Sequence, residues 1–230
     1  MKIGGITPLS LIDYPGRPAV VLFTVGCNLR CPYCHNAELV LQTGEEQLTE
    51  KEVFTHLASR VGLLDSLCIT GGEPTIHTDL VEFIAEIKAM GLDVKLDTNG
   101  SKPKVLKELL SKELLDYVAL DIKSSPERYR EATGGRLDFE EVARTATLLK
   151  EAGVSYELRT TCVPGIVEIE DIAAVADMLG GVKRYVLQQF RATKTLDAAY
   201  TKVNPHPPVW FEKAKHLLLD SAEEIATRGI

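Results

Sequence analysis

The chain predicts an α/β fold built on parallel strands, and three observations carry that expectation. Apolar strand-like runs alternate with stretches of helical period, the alternation repeats about six times, and the chemically unusual residues fall directly after the strand-like runs. Such alternation implies right-handed crossovers between parallel strands, as in an α/β barrel, a partial barrel or a doubly wound sheet. Six units are too few for a closed eight-stranded barrel.

The first strand runs from Ala19 to Val25, a continuous apolar stretch suited to burial on both faces. Thr49 followed by Glu52 is a capping box that opens a helix through Val53, Leu57 and Val61. A second strand, Ser66 to Thr70, precedes a helix that Thr78 can cap, carrying Val81, Ile84 and Ile87 until Gly91 ends it. Strand Asp93 to Leu96 leads to helix Lys104 to Leu115, and strand Tyr117 to Ile122 to helix Phe139 to Ala152. Strand Ser155 to Thr161, helix Glu170 to Leu179 and strand Arg184 to Gln188 complete the six units. A last helix, Trp210 to Thr227, has Leu217 and Leu218 on its apolar side.

With 230 residues, no repeat, no low-complexity segment and no Gly-, Ser- or Pro-rich linker, one domain over 1–230 is the simplest account, its body spanning about 16–195 and a C-terminal helix 208–227. A net charge of -7 and a pI of 5.3 argue against a nucleic-acid binder. The N-terminus has no apolar signal core, and no apolar run approaches the ~20 residues of a membrane helix, so a cytoplasmic protein without membrane contact is expected. Five cysteines, an odd number, suit reduced thiols and a metal site better than a disulfide framework. Cys68 and Cys162 lack ligand-like spacing and read as small buried hydrophobes.

Cys27, Cys31 and Cys34 follow directly on the first strand. Three thiolates hold a 4Fe-4S cluster with one iron left open, able to bind a substrate or cofactor directly. After the second strand comes Gly71-Gly72-Glu73-Pro74, after the third Asp97-Thr98-Asn99-Gly100, and Asp121-Ile122-Lys123 closes the fourth. Parallel α/β folds build their sites from the C-terminal ends of strands, so these segments should converge on one mouth. The paired glycines would let backbone approach a ligand, Glu73 could receive an ammonium group, and a cation would relieve repulsion between Asp97 and Asp121. Two duller readings stand beside this one. Cys31-Pro32-Tyr33-Cys34-His35 matches covalent haem attachment, which leaves Cys27 unexplained, and the trio with His35 could make a Cys3His zinc site, although zinc ligands usually come as separated pairs.

The spacing Cys27-x3-Cys31-x2-Cys34, with Tyr33 before the last Cys, together with Gly71-Gly72-Glu73-Pro74, resembles the radical S-adenosylmethionine (radical SAM) superfamily. Ser10-Leu11-Ile12-Asp13-Tyr14-Pro15-Gly16, Cys34-His35-Asn36, Asp97-Thr98-Asn99-Gly100 and Asp121-Ile122-Lys123 resemble the glycyl-radical-enzyme activating proteins, above all those serving anaerobic ribonucleoside-triphosphate reductase. The resemblance implies a partial (β/α)6 barrel and an oxidoreductase that reductively cleaves S-adenosylmethionine to place a glycyl radical on a partner enzyme. It implies that Cys27, Cys31 and Cys34 hold the 4Fe-4S cluster, and that Gly71, Gly72 and Glu73 meet the methionine amino group with Pro74 shaping the turn. By the same resemblance Asp97, Asp121 and Lys123 lie at the cofactor's polar end or near a monovalent cation, Asn99 contacts the cofactor, Arg159 and Thr161 belong to a later strand that touches it, and Tyr33 lies near the adenine; a surface ion-pair partner is the plain alternative for Arg159. The radical being cofactor-borne, no acid or base side chain is assigned. A flavodoxin or ferredoxin would be the electron donor. Asp13, Tyr14 and Pro15 read as the barrel floor rather than partner contacts. A pyruvate formate-lyase activator, a small-molecule enzyme such as a 7-carboxy-7-deazaguanine synthase, and a plain iron-sulfur or zinc protein are the alternatives.

Overall fold

The computed structural model describes residues 1–44 and 48–230. Eight strands form one sheet in chain order: β1 (Ile3–Tyr14), β2 (Arg17–Thr24), β3 (Ser66–Gly71), β4 (Asp93–Thr98), β5 (Tyr117–Asp121), β6 (Ser155–Cys162), β7 (Val182–Gln189) and β8 (Ala222–Arg228). Strands β2 to β8 are parallel; β1 is antiparallel to β2. The outer strands β1 and β8 do not pair with each other, so the barrel stays partial. All six expected strands are present, as β2 to β7.

Among the described residues eight α-helices lie in the connections: α1 (Ala37–Leu41), α2 (Glu50–Ala58), α3 (Leu80–Ala89), α4 (Pro103–Ser111), α5 (Tyr129–Ala132), α6 (Phe139–Glu151), α7 (Ile169–Leu179) and α8 (Pro208–Leu217). Val94, Leu96, Val118, Leu120 and Leu158 on the outer sheet face join Ile84, Leu106, Leu149 and Ile172 from the helices in one buried apolar cluster. The Thr49 and Glu52 capping box forms as read, Glu52 N donating to Thr49 Oγ1 and Thr49 N to Glu52 Oε2. Helix α2 stops at Ala58, however, and leaves Val61 exposed. The N-cap of α3 is Asp79 rather than Thr78.

Two strands were not expected. β1 begins in Ile3-Gly4-Gly5 and carries Pro8, and its register against β2 shifts three times, which removes the clean alternation that marks a strand. An edge strand tolerates these breaks because one side of its backbone has no partner to satisfy. Tyr14 pairs with Arg17 across Pro15-Gly16, where Gly16 takes the positive φ of 74° that the second corner of a type II turn needs. Buried Tyr14 meets Tyr117 with ring centroids 5.9 Å apart, which makes this turn part of the barrel floor.

The second surprise is at the C-terminus. The helix expected over 208–227 ends at Leu217, and residues 222–228 instead form β8 against β7. Glu and Ala favour helix there, but the open edge of β7 offers a full row of backbone partners, and pairing outweighs propensity. Arg228 secures the strand by donating to the buried Glu157 at 2.8 Å. Leu218 is buried as expected, whereas Leu217 is exposed.

Candidate active site

Inward-facing residues of the parallel strands rise in layers. Lys95 and Asp97 share the inner face of β4, since residues two apart in a strand point the same way. Register places Asp97 beside Ala119 and Asp121 beside Arg159. At the C-terminal ends, the strand loops converge on one cavity that Cys27, Cys31, Tyr33, Cys34, Gly71, Gly72, Glu73, Asp97, Asn99, Asp121, Lys123, Arg159 and Thr161 all line. Of the residues singled out from sequence, Pro74 alone stays behind the wall, opening a short 3₁₀ turn.

The cysteine loop is held from several sides. Asn36 Nδ2 donates to Gly71 O at 2.8 Å, Arg30 Nη1 to Cys27 O at 2.8 Å, and Asn28 Nδ2 to Ser101 Oγ at 2.8 Å. A segment following β7 clasps it from above: Leu196 N donates to Cys34 O at 2.9 Å and Asp197 N to Pro32 O at 2.8 Å. Burial pushes all three thiols up, Cys31 to about 12, with Lys123 the nearest opposing cation. A metal binding here must therefore displace protons. No group of three or more His, Cys, Asp or Glu among the described residues is arranged to hold a metal ion by itself. His35, the fourth ligand of a Cys3His site, is engaged elsewhere, its Nε2 2.8 Å from Arg191 O and its ring stacked on Phe190. Three thiols around an open cavity suit a polynuclear cluster with one coordination place left to a ligand.

A model of the radical SAM superfamily matches residues 21–179. The chain belongs to that superfamily. It is similar to a Methanocaldococcus jannaschii protein provisionally named a glycyl-radical enzyme activating enzyme, with 38% identity over 206 residues, covering 87% of this chain and 85% of the relative. It also resembles the pyruvate formate-lyase-activating enzyme of Clostridium pasteurianum, 28% identical over 212 residues, 88% of this chain and 87% of the relative. Streptococcus suis SuiB bound to S-adenosylmethionine shares the fold, with a TM-score of 0.71, 17% identity and coverage of 91% of this chain, which spans 50% of that structure's length. A radical SAM enzyme uses a 4Fe-4S cluster and S-adenosylmethionine.

In this radical SAM enzyme the paired glycines answer first to packing. A Cβ on Gly72 would lie 1.9 Å from Gly26 O, and one on Gly71, whose φ is 106°, 2.6 Å from Thr24 N. The absence of a side chain on Gly71 lets the end of β3 lie close to the end of β2, and on Gly72 it lets the backbone leading into the cysteine loop pass. Glu73 is buried and already busy: it accepts from Thr75 N at 3.1 Å, Thr98 Oγ1 at 2.7 Å and Asn99 N at 2.7 Å, tying β3's end to β4's. Burial nonetheless pushes its carboxyl up, against the pull of these hydrogen bonds. Its Oε2 has Asn99 N as partner, and the residue lines the cavity.

Five charged groups alternate across and beneath the cavity floor. Lys95 pairs with Asp97, Arg159 Nη1 donates to Asp97 at 3.0 Å, Arg159 Nε to Asp121 at 2.6 Å, and Lys123 Nζ to Asp121 at 2.9 Å. To reach Asp97 the guanidinium crosses β5 at Ala119, whose methyl group leaves the passage open. Burial would raise both carboxyls, but for each the Arg159 charge, with Lys95 beside Asp97 and Lys123 beside Asp121, holds them below the ordinary value of 3.8. The repulsion for which a bound cation was expected is thus relieved by side chains. Tyr33 is buried, its hydroxyl donating to Lys123 O at 3.5 Å. Sequence reasoning passed over Lys95 and Asn28; the Lys95-x-Asp97 spacing on a strand was the available signal for the first.

Proposed function

We propose that this enzyme activates a glycyl radical enzyme, and that its partner is an anaerobic ribonucleoside-triphosphate reductase. The observation that carries the activase reading is extent: the likeness to named activating enzymes runs over 85% and 87% of their own lengths. The reductase as partner rests on the Cys34-His35-Asn36, Asp97-Thr98-Asn99-Gly100 and Asp121-Ile122-Lys123 segments. Pyruvate formate-lyase is the second reading, favoured by the relative from Clostridium pasteurianum.

In this reading Cys27, Cys31 and Cys34 would hold three irons of the cluster, and Gly71, Gly72 and Glu73 would receive the methionine amino group. Asp97, Asn99, Asp121, Lys123, Arg159 and Thr161 surround the polar end of S-adenosylmethionine, with Tyr33 close to the adenine. The bound cofactors supply one-electron chemistry that removes a hydrogen atom from an unreactive C–H bond, here a partner glycine Cα. The chain's own residues orient the cofactor and keep water out of the floor. The partial barrel leaves a flank through which a protein segment can reach the mouth. A flavodoxin or ferredoxin supplies the electron, in the cytoplasm; no helix among the described residues is long and apolar enough to cross a membrane.

The test is anaerobic. Reconstituted, reduced enzyme with S-adenosylmethionine should release 5'-deoxyadenosine, and addition of the reductase should give a glycyl radical signal by electron paramagnetic resonance that changes with glycine α-deuteration. A signal on pyruvate formate-lyase alone moves the assignment to the second reading. Cofactor cleavage coupled to turnover of a small molecule, with no radical on either protein, rejects the activase.

A further inference from the structure

Lys95 is 1% exposed and lies outside the residues that line the cavity. Its ammonium pairs with Asp97 and stands 3.7 Å from Cys68 Sγ. A lysine this deeply buried is rare unless its charge is needed. Two carboxylates, Asp97 and Asp121, end side by side at the cavity floor, and one guanidinium between them neutralises only one charge. Lys123 supplies the second cation from the cavity side, and Lys95 a third from below. The floor therefore carries an excess of one positive charge, and each carboxylate has an ammonium of its own as well as a share of Arg159.

We propose that Lys95 is a positioning residue, a built-in counter-cation that fixes Asp97, and through it Arg159, so that S-adenosylmethionine binds without help from a free monovalent cation. Asp97 accepts from Lys95 on one oxygen and from Arg159 and Thr70 Oγ1 on the other, so both its oxygens are set before any ligand arrives. Cys68 is more than a small hydrophobe in this setting: its thiol, donating to Asp97 at 3.7 Å, fills the space around the ammonium without adding a charge at neutral pH, because burial pushes its titration upward. This inference rests on cofactor binding, not on the identity of the glycyl partner.

The experiment is equilibrium binding of S-adenosylmethionine to the cluster-loaded enzyme in buffers whose only cation is sodium, potassium or tetramethylammonium. For the native enzyme the dissociation constant should agree within about twofold across the three. Lys95→Ala should weaken binding about tenfold or more in tetramethylammonium, and potassium or methylammonium, small enough for the vacated space, should restore much of it. Native binding that strengthens several-fold with sodium or potassium overturns the proposal, as does Lys95→Ala binding normally in tetramethylammonium. Should Lys95→Ala fail to fold, the native titration alone decides. Absence of binding in every buffer would instead indict the cofactor assignment.

Discussion

Arg159 joins Asp97 to Asp121, donating through Nη1 to the first at 3.0 Å and through Nε to the second at 2.6 Å from opposite sides of one planar group. A lysine at this position has one donor head and cannot make both contacts in the fixed directions a guanidinium provides. Arg159→Lys should therefore keep the fold and the cluster but weaken S-adenosylmethionine binding by about tenfold. Arg159→Ala, which leaves buried Asp97 and half-buried Asp121 with one ammonium each, should cost about 3 kcal/mol of stability by chemical denaturation. Full affinity in the lysine variant would show that the bridge does not shape the site.

Acid should destabilise the protein through the same pair. Asp97 and Asp121 titrate below their ordinary 3.8 in the folded chain, so their contribution is fully present above that value and is lost as pH falls through the folded values. Glu73 runs the other way: raised above 4.5, it favours the folded state most at low pH and loses that advantage as pH rises through its folded value. Urea unfolding from about pH 5 down to about pH 2 should show stability falling on acidification, less steeply in Asp121→Asn. Equal slopes in the two proteins would assign the acid limb to other groups.

Gly72→Ala should be among the most damaging small substitutions in the chain, because its methyl group would lie 1.9 Å from Gly26 O. A loss of about 3 kcal/mol or more is expected, with displacement of the cysteine loop. Gly5→Ala, whose methyl group would meet nothing within 4 Å, is the control. Thermal midpoint and iron content per chain together measure the effect; iron retained at native levels in Gly72→Ala would mean the loop can move aside.

Cysteine replacements should separate the five thiols into two groups. Cys31→Ala should abolish the 4Fe-4S absorbance of the reconstituted protein, whereas Cys68→Ala should retain it at a cost of about 1–2 kcal/mol from lost packing. An intact cluster spectrum with normal cofactor cleavage in Cys31→Ala would refute the three-thiol assignment.

The parallel core was legible because buried strands read as unbroken apolar runs, and the site because every chemically unusual segment sits at a strand's C-terminal end. β1 was hidden by Gly4, Gly5, Pro8 and its bulges, which only an edge strand can carry. β8 was hidden because Ala222-Glu223-Glu224 has helical propensity and becomes a strand only when β7's edge is at hand. Within the site, Asp97, Asp121 and Arg159 were found individually, but their neutralisation by one another depends on three strands lying side by side, with Asp97 on β4, Asp121 on β5 beside the small Ala119, and Arg159 on β6. The true constraint on Gly71 and Gly72 comes from Thr24 and Gly26, almost fifty residues away, which no local pattern encodes.

The clasp from Leu196 and Asp197 onto Cys34 and Pro32 joins the two ends of the biosynthetic order. A ribosome releases the three thiols early, and the segment that clasps their loop follows only after all but one strand of the sheet has been made. The loop that carries the thiols therefore gains these two backbone partners late, when seven of the eight strands have already been made.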